Sequence, residues 1–153
     1  MREKRGSYVL AIVCLGVLLL SSSYVAAHCE LPCGIYNDQM RIEMIDEDIT
    51  TIEKAMKEIT ELGSQKELNY NQLVRWITNK EYHADKIQEV VSQYFMTQRI
   101  KPDAEKYQEK LVLLHKMLVA AMKCKQTTDL SHVETLRSLL KSFETLYFGH
   151  THK

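Results

Sequence analysis

The chain has 153 residues, with 20 Lys and Arg against 20 Asp and Glu, 45% hydrophobic content, and only five glycines and two prolines. Balanced charge with no basic block excludes a nucleic-acid-binding surface, and the length suits one domain with a single core. So few helix breakers in such a chain point to helices joined by short connections.

Residues 1–27 read as a secretory leader. Arg2, Lys4 and Arg5 make a basic start, Val9 to Leu20 is nearly all apolar, and Val25 and Ala27 place small residues where a signal peptidase reads. The stretch from Tyr8 to Ala27 is just long enough to span a bilayer, so a membrane-anchored or organellar protein is the alternative. Ser21, Ser22 and Ser23, however, end the apolar run before the small-residue site. Cleavage after Ala27 takes Cys14 away with the leader and predicts a secreted or periplasmic protein with no membrane attachment. The mature domain is then residues 28–153, with 17 basic against 19 acidic residues and His28 at its start.

The next nine residues, His28-Cys29-Glu30-Leu31-Pro32-Cys33-Gly34-Ile35-Tyr36, concentrate metal donors. Two cysteines four apart in an exported protein are, taken alone, a small disulfide or half of a metal site. A histidine made N-terminal by processing changes that reading. Its amine, the Cys29 amide nitrogen and the Cys29 thiolate can close two adjoining five-membered chelate rings, which Cys33 completes. Two nitrogens and two thiolates in a plane suit Ni(II) or Cu(II), whereas zinc prefers a tetrahedron.

Four amphipathic stretches follow. Ile42, Ile45, Ile49, Ile52, Met56 and Ile59 recur at steps of three and four on one helical stripe, with Asn37 or Asp38 as its cap and Gly63 after it. A second stripe runs Tyr70, Leu73, Ile77, Ala84, Ile87, Val91 and Tyr94. Lys80 interrupts it, marking either a polar pocket or a seam shifted by one residue. The third is Ala104, Tyr107, Leu111, Leu114, Leu118 and Ala121, beginning after Pro102. The fourth is Val133, Leu136, Leu140, Phe143 and Tyr147, opened by Ser131 and Glu134 in a capping-box pattern and closed by Gly149. Four such helices hide their stripes only against one another, so the expected fold is all-α, an antiparallel up-down four-helix bundle with an N-terminal metal-binding hook. Cys124 reads as a free structural thiol and His115 and His132 as surface or helix-end residues. His150 and His152 read as tail.

The pattern His28-Cys29-x-x-Pro32-Cys33-Gly34-x-Tyr36 resembles the nickel hook of the nickel superoxide dismutase family. The resemblance implies a four-helix bundle, a homohexamer, and one nickel ion per chain that disproportionates superoxide to oxygen and hydrogen peroxide by Ni(II)/Ni(III) cycling. It implies that His28, Cys29 and Cys33 are the metal ligands, the His28 imidazole binding axially in the oxidised state, and that thiolates and an anionic amide bring the nickel couple into range. It makes Pro32 the residue that turns the hook, and Tyr36 a phenol over the open metal face and a proton relay. Tyr94 becomes a second gate residue beside Phe95, and Lys101 a group that attracts the anion. Glu43, in Arg41-Ile42-Glu43, would orient the axial imidazole. The sequence departs from the family in four places: Glu30 replaces an aspartate, one residue is missing between Tyr36 and Arg41, the link from Phe95 to Lys101-Pro102 is longer, and the arginine partner expected for Glu43 maps to His83 through Arg75 and Lys80-Glu81. The competing readings are a secreted helical interaction module with a Cys29–Cys33 disulfide, and a copper- or zinc-binding protein.

Overall fold

The computed structural model describes residues 34–149, all within the unit Gly34–Lys153. Among them there are four α-helices and no strand: α1 (Asp38–Gly63), α2 (Tyr70–Glu89), α3 (Tyr107–Gln126) and α4 (Ser131–Phe148). The second continues without a break into a π-helical segment, Val90–Arg99. Each helix packs on its neighbours in chain order, and α4 returns to α1. Cross-links fix the directions. Asp38 meets Tyr94 while Asp48 meets His83, and Gln39 meets Glu144 while Asp46 meets Arg137, so α2 and α4 both run opposite to α1. The expected antiparallel four-helix bundle is the fold observed.

Local chemistry explains the helix ends. Asn37 caps α1, its Oδ1 accepting from the Met40 N–H at 3.0 Å, and Asn69 caps α2 in the same way through Gln72. The capping box expected at Ser131 does not form. Leu130 occupies the cap position, and the Asp129 carboxylate accepts from the Ser131 N–H at 2.9 Å. Hydrogen bonds from Ser131 therefore hold Asp129 below the usual carboxylate range. Gly149 closes α4 with φ 75°, the left-handed geometry that glycine adopts at little cost.

The core follows the predicted stripes with two corrections. Ile42, Ile45, Ile49, Ile52 and Met56 are buried as expected, as are Val133, Leu136, Leu140 and Phe143, whereas Ile59 is only half-buried. The first half of the α2 stripe fails. Tyr70 is 70% exposed and Ile77 lies at the surface, while Lys80 is 4% exposed. The Lys80 interruption is a polar pocket rather than a shifted seam. Its Nζ donates to the carbonyls of Cys124, Lys125 and Thr127 at 2.8, 2.5 and 3.1 Å, so the lysine enters the bundle to satisfy the C-terminal end of α3, where orphan carbonyls and the helix dipole favour a cation. The third stripe is rotated: Met117, Ala120 and Cys124 join Leu114 and Ala121 inside, while Leu111 and Leu118 are partly exposed. That helix begins at Tyr107, after Lys106 at φ 55°, rather than at Ala104.

Candidate metal centre

The described chain begins at Gly34, two residues before Tyr36. His28, Cys29, Glu30, Pro32 and Cys33 lie outside the described residues. Gly34 has φ 78°, with open space around a would-be Cβ, so the left-handed backbone rather than crowding is what favours glycine beside Cys33. Among the described residues no group of three or more His, Cys, Asp or Glu is placed to hold a metal. The donor set nominated by the sequence, an imidazole, an amine and two thiols, fits nickel by its chemistry. Cys124 is no rival donor: it is free, and burial pushes its thiol up to about 11, leaving it protonated and unreactive near neutral pH.

Where α1 starts, aromatic rings converge. Tyr36 meets Tyr94 edge-on with centroids 5.9 Å apart, and the contacts run inward through Phe95 at 5.1 Å to Phe143 at 5.0 Å and Tyr147 at 5.7 Å. Such edge-to-face pairs are worth about 0.5–1.5 kcal/mol each beyond their buried area. Tyr36 is 39% exposed and Tyr94 only 4%, so the two form an outer and an inner member of one stack.

A single carboxylate ties this stack to three elements. Asp38, in the first turn of α1, accepts from the Tyr94 hydroxyl at 2.5 Å, from the Tyr147 hydroxyl at 2.7 Å, and from Arg99 through Nε at 2.9 Å and Nη2 at 2.7 Å. Burial alone would raise the Asp38 pKa, but the hydrogen bonds from Arg99, Tyr94 and Tyr147 outweigh it and hold the group below the usual carboxylate range. The two phenols respond in the opposite sense: burial and then the Asp38 hydrogen bond push each up to about 12. Arg99 is pushed further up by its bond to Asp38. Its guanidinium also lies over the Tyr36 ring, 4.3 Å from the centroid, and that of Arg41 lies over Tyr94 at 5.1 Å.

The candidate residues therefore divide. Tyr36 and Tyr94 are brought together. The Tyr94 hydroxyl is committed to Asp38, whereas that of Tyr36 has no partner among the described residues. Glu43 is exposed and likewise unpaired among them. His83 does not meet Glu43; its Nδ1 lies 2.6 Å from Asp48 Oδ1, with Lys86 3.2 Å from the same oxygen. The tentative placement of His83 as the Glu43 partner is thus corrected. Glu43 and Asp48 are five positions apart, more than one helical turn, and it is Asp48 that faces α2, 2% exposed. Lys101 is exposed just past the π-helical segment, and among the described residues no hydrogen bond or cation–π contact joins it to either tyrosine. Sequence reasoning missed Asp38, Arg99 and Tyr147 as one cluster. Asp38 read as a cap, Tyr147 as core, and Arg99 lay in the lengthened link, whose geometry no periodicity announces.

A family model described as nickel-containing superoxide dismutase matches residues 23–151, a span that takes in the nine-residue hook and all the described helices. No curated protein matches the chain, and no solved structure does.

Proposed function

From a chain that belongs to the nickel-containing superoxide dismutase family, we propose a specific working form: a mature protein that begins at His28 and holds its nickel through His28, Cys29 and Cys33. The protein is a nickel-dependent oxidoreductase acting on superoxide. When bound, nickel alternating between its divalent and trivalent states supplies and accepts the electron by which two superoxide anions and two protons become oxygen and hydrogen peroxide. The motif His28-Cys29-x-x-Pro32-Cys33, with Tyr36 three residues on, carries this reading.

The chain's own residues have the remaining work. The Cys29 and Cys33 thiolates and the Cys29 amide nitrogen are strong donors suited to a higher oxidation state, and the His28 α-amine is a donor only once processing frees it. By the family resemblance Pro32 would turn the segment, and Glu30 would bring a carboxylate to it. Glu43, unpaired among the described residues, is the group available to hold the His28 imidazole in one orientation. His83 drops out of that role. The second half-reaction consumes protons, and Tyr36 is the relay, its hydroxyl having no partner among the described residues; Tyr94 closes the gate by packing edge-to-face with Tyr36 while its hydroxyl stays on Asp38.

Export follows from the leader reading of residues 1–27. Assembly into a hexamer is supported by an exposed apolar face on α2, where Tyr70, Val74 and Ile77 lie outside the core. Among the described residues no helix is long and apolar enough to cross a membrane.

The test is direct. Mass spectrometry of the natural protein should find His28 at the N-terminus, with about one nickel ion per chain and dismutase activity lost on chelation. A variant with one extra residue before His28 has an amide where the amine was, and should be inactive. Full activity from that variant would refute the assignment.

A further inference from the structure

We infer that Arg41 is the cation that draws the superoxide anion to the tyrosine gate; this rests on the site reading just given. Two arginines stand at the gate, and their charges are used differently. Arg99 lies over Tyr36, but its guanidinium is gripped on two nitrogens by Asp38, so the pair presents little net charge. Arg41 lies over the ring of Tyr94, which packs edge-to-face with Tyr36. Among the described residues it has no carboxylate partner, and its one hydrogen bond runs from Nη1 to the Met44 thioether at 3.6 Å, a weak acceptor.

One atom sharpens the case. Arg41 Nε is buried and, among the described residues, has no hydrogen-bond partner. A buried donor left unsatisfied is costly, so the site is stabilised by any small acceptor that reaches it, and an anionic acceptor gains from the unspent charge as well. The position suits a transient visitor rather than a permanent ion pair. The guanidinium is held against an aromatic face, which fixes it without neutralising it, and the neighbouring ring is the partly exposed Tyr36. Superoxide is small, singly charged and rich in acceptor lone pairs. A fixed cation beside its entry route raises the encounter rate, an effect that salt screens.

The competing residue is Lys101, a point charge in the solvent-exposed link. The experiment compares Arg41→Gln, Arg41→Lys and Lys101→Gln in the processed, nickel-loaded protein, with Lys116→Gln on the exposed side of α3 as a control for net charge. Arg41→Gln should lower kcat/KM at low salt by roughly three- to tenfold and flatten its dependence on ionic strength, with nickel content unchanged. Arg41→Lys keeps the charge but loses Nε and the planar stack on Tyr94, so it should keep the parent's salt slope while recovering only part of the rate, and Lys116→Gln should follow the parent. An unaltered salt slope in Arg41→Gln, or a flattening found in Lys101→Gln instead, overturns the proposal.

A second measurement does not depend on turnover. In metal-free, reduced mature protein, titration with azide as a stand-in small anion should shift the Arg41 Nε–H NMR signal saturably and leave that of Arg99 in place. An Arg41 signal that azide does not move overturns the proposal. If the wild-type protein carries no nickel, it is the site reading that fails, and the azide titration still reports on Arg41 alone.

Discussion

Replacing Asp38 with alanine tests the idea that one carboxylate organises the start of the bundle. The substitution strands three donors at once: the Arg99 guanidinium and the hydroxyls of Tyr94 and Tyr147. Breaking a fully buried ion pair costs about 3–5 kcal/mol, but the Asp38 and Arg99 side chains are 15% and 27% exposed, so water recovers part of that and about 2 kcal/mol is expected from the pair. The phenols add about 0.5–1 kcal/mol each, because rotation gives them partial access to other acceptors. The sum is about 3–4 kcal/mol, or roughly 15 °C in Tm for a domain of this size. Tyr94→Phe and Tyr147→Phe should each cost about 1 kcal/mol, and their losses should shrink to near zero when Asp38 is already alanine. Urea unfolding of reduced, metal-free mature protein, followed by far-ultraviolet circular dichroism at one fixed concentration, keeps nickel binding and assembly out of the comparison. A stability loss below about 0.5 kcal/mol for Asp38→Ala, within ordinary surface-substitution scatter, would show that the cluster is incidental.

The same cluster sets both pH limits. Because the Asp38 pKa is lowered on folding, its contribution is complete above the unfolded value of 3.8 and is lost as pH falls through the depressed one; Tyr94 and Tyr147, raised to about 12, contribute fully below the unfolded value of 10.0 and lose that contribution as pH climbs toward 12. Stability measured against pH should therefore fall at both ends, and Tyr94→Phe should soften the alkaline limb; an unchanged limb would count against the assignment. Lys80→Met should destabilise by about 2 kcal/mol, since it leaves three carbonyls at the end of α3 unsatisfied, and a neutral result in chemical unfolding would contradict that account. A double-mutant cycle on Asp48→Ala and His83→Ala should give a coupling of about 1–2 kcal/mol; zero coupling would mean that the 2.6 Å contact contributes nothing to stability.

What the sequence made legible was what repeats. Helices α1 and α4 bury their predicted stripes because each is an uninterrupted amphipathic run with its apolar residues three and four apart. The α2 stripe misled in its first half: Tyr70 and Ile77 have the right spacing, but among the described residues the bundle offers them no partner surface, and the helix turns Lys80 inward instead. Along α3 nearly every face carries an apolar residue, so spacing alone could not choose between Leu118 and Met117. The tyrosine cluster was half legible. The family resemblance singled out Tyr36 and Tyr94 separately, and the structure shows their rings in contact, whereas Asp38 gathers its partners from 56, 61 and 109 residues away, separations over which no local pattern operates. His83 was misplaced because matching one charged residue to another along a helix ignores which of two candidate carboxylates, Glu43 or Asp48, faces it.

The π-helical segment has one more effect, which concerns angle rather than charge. Tyr94 and Arg99 are five positions apart, and at 3.6 residues per turn a five-residue step leaves two side chains roughly 140° out of line. The wider coil closes its hydrogen bonds five residues on and turns in about 4.4 residues, which reduces the offset to roughly 50°. A phenol and a guanidinium that ordinary winding would send to opposite sides thus reach the same carboxylate. The slack coil works as a protractor, letting a lengthened connection swing Arg99 onto the carboxylate that also holds Tyr94.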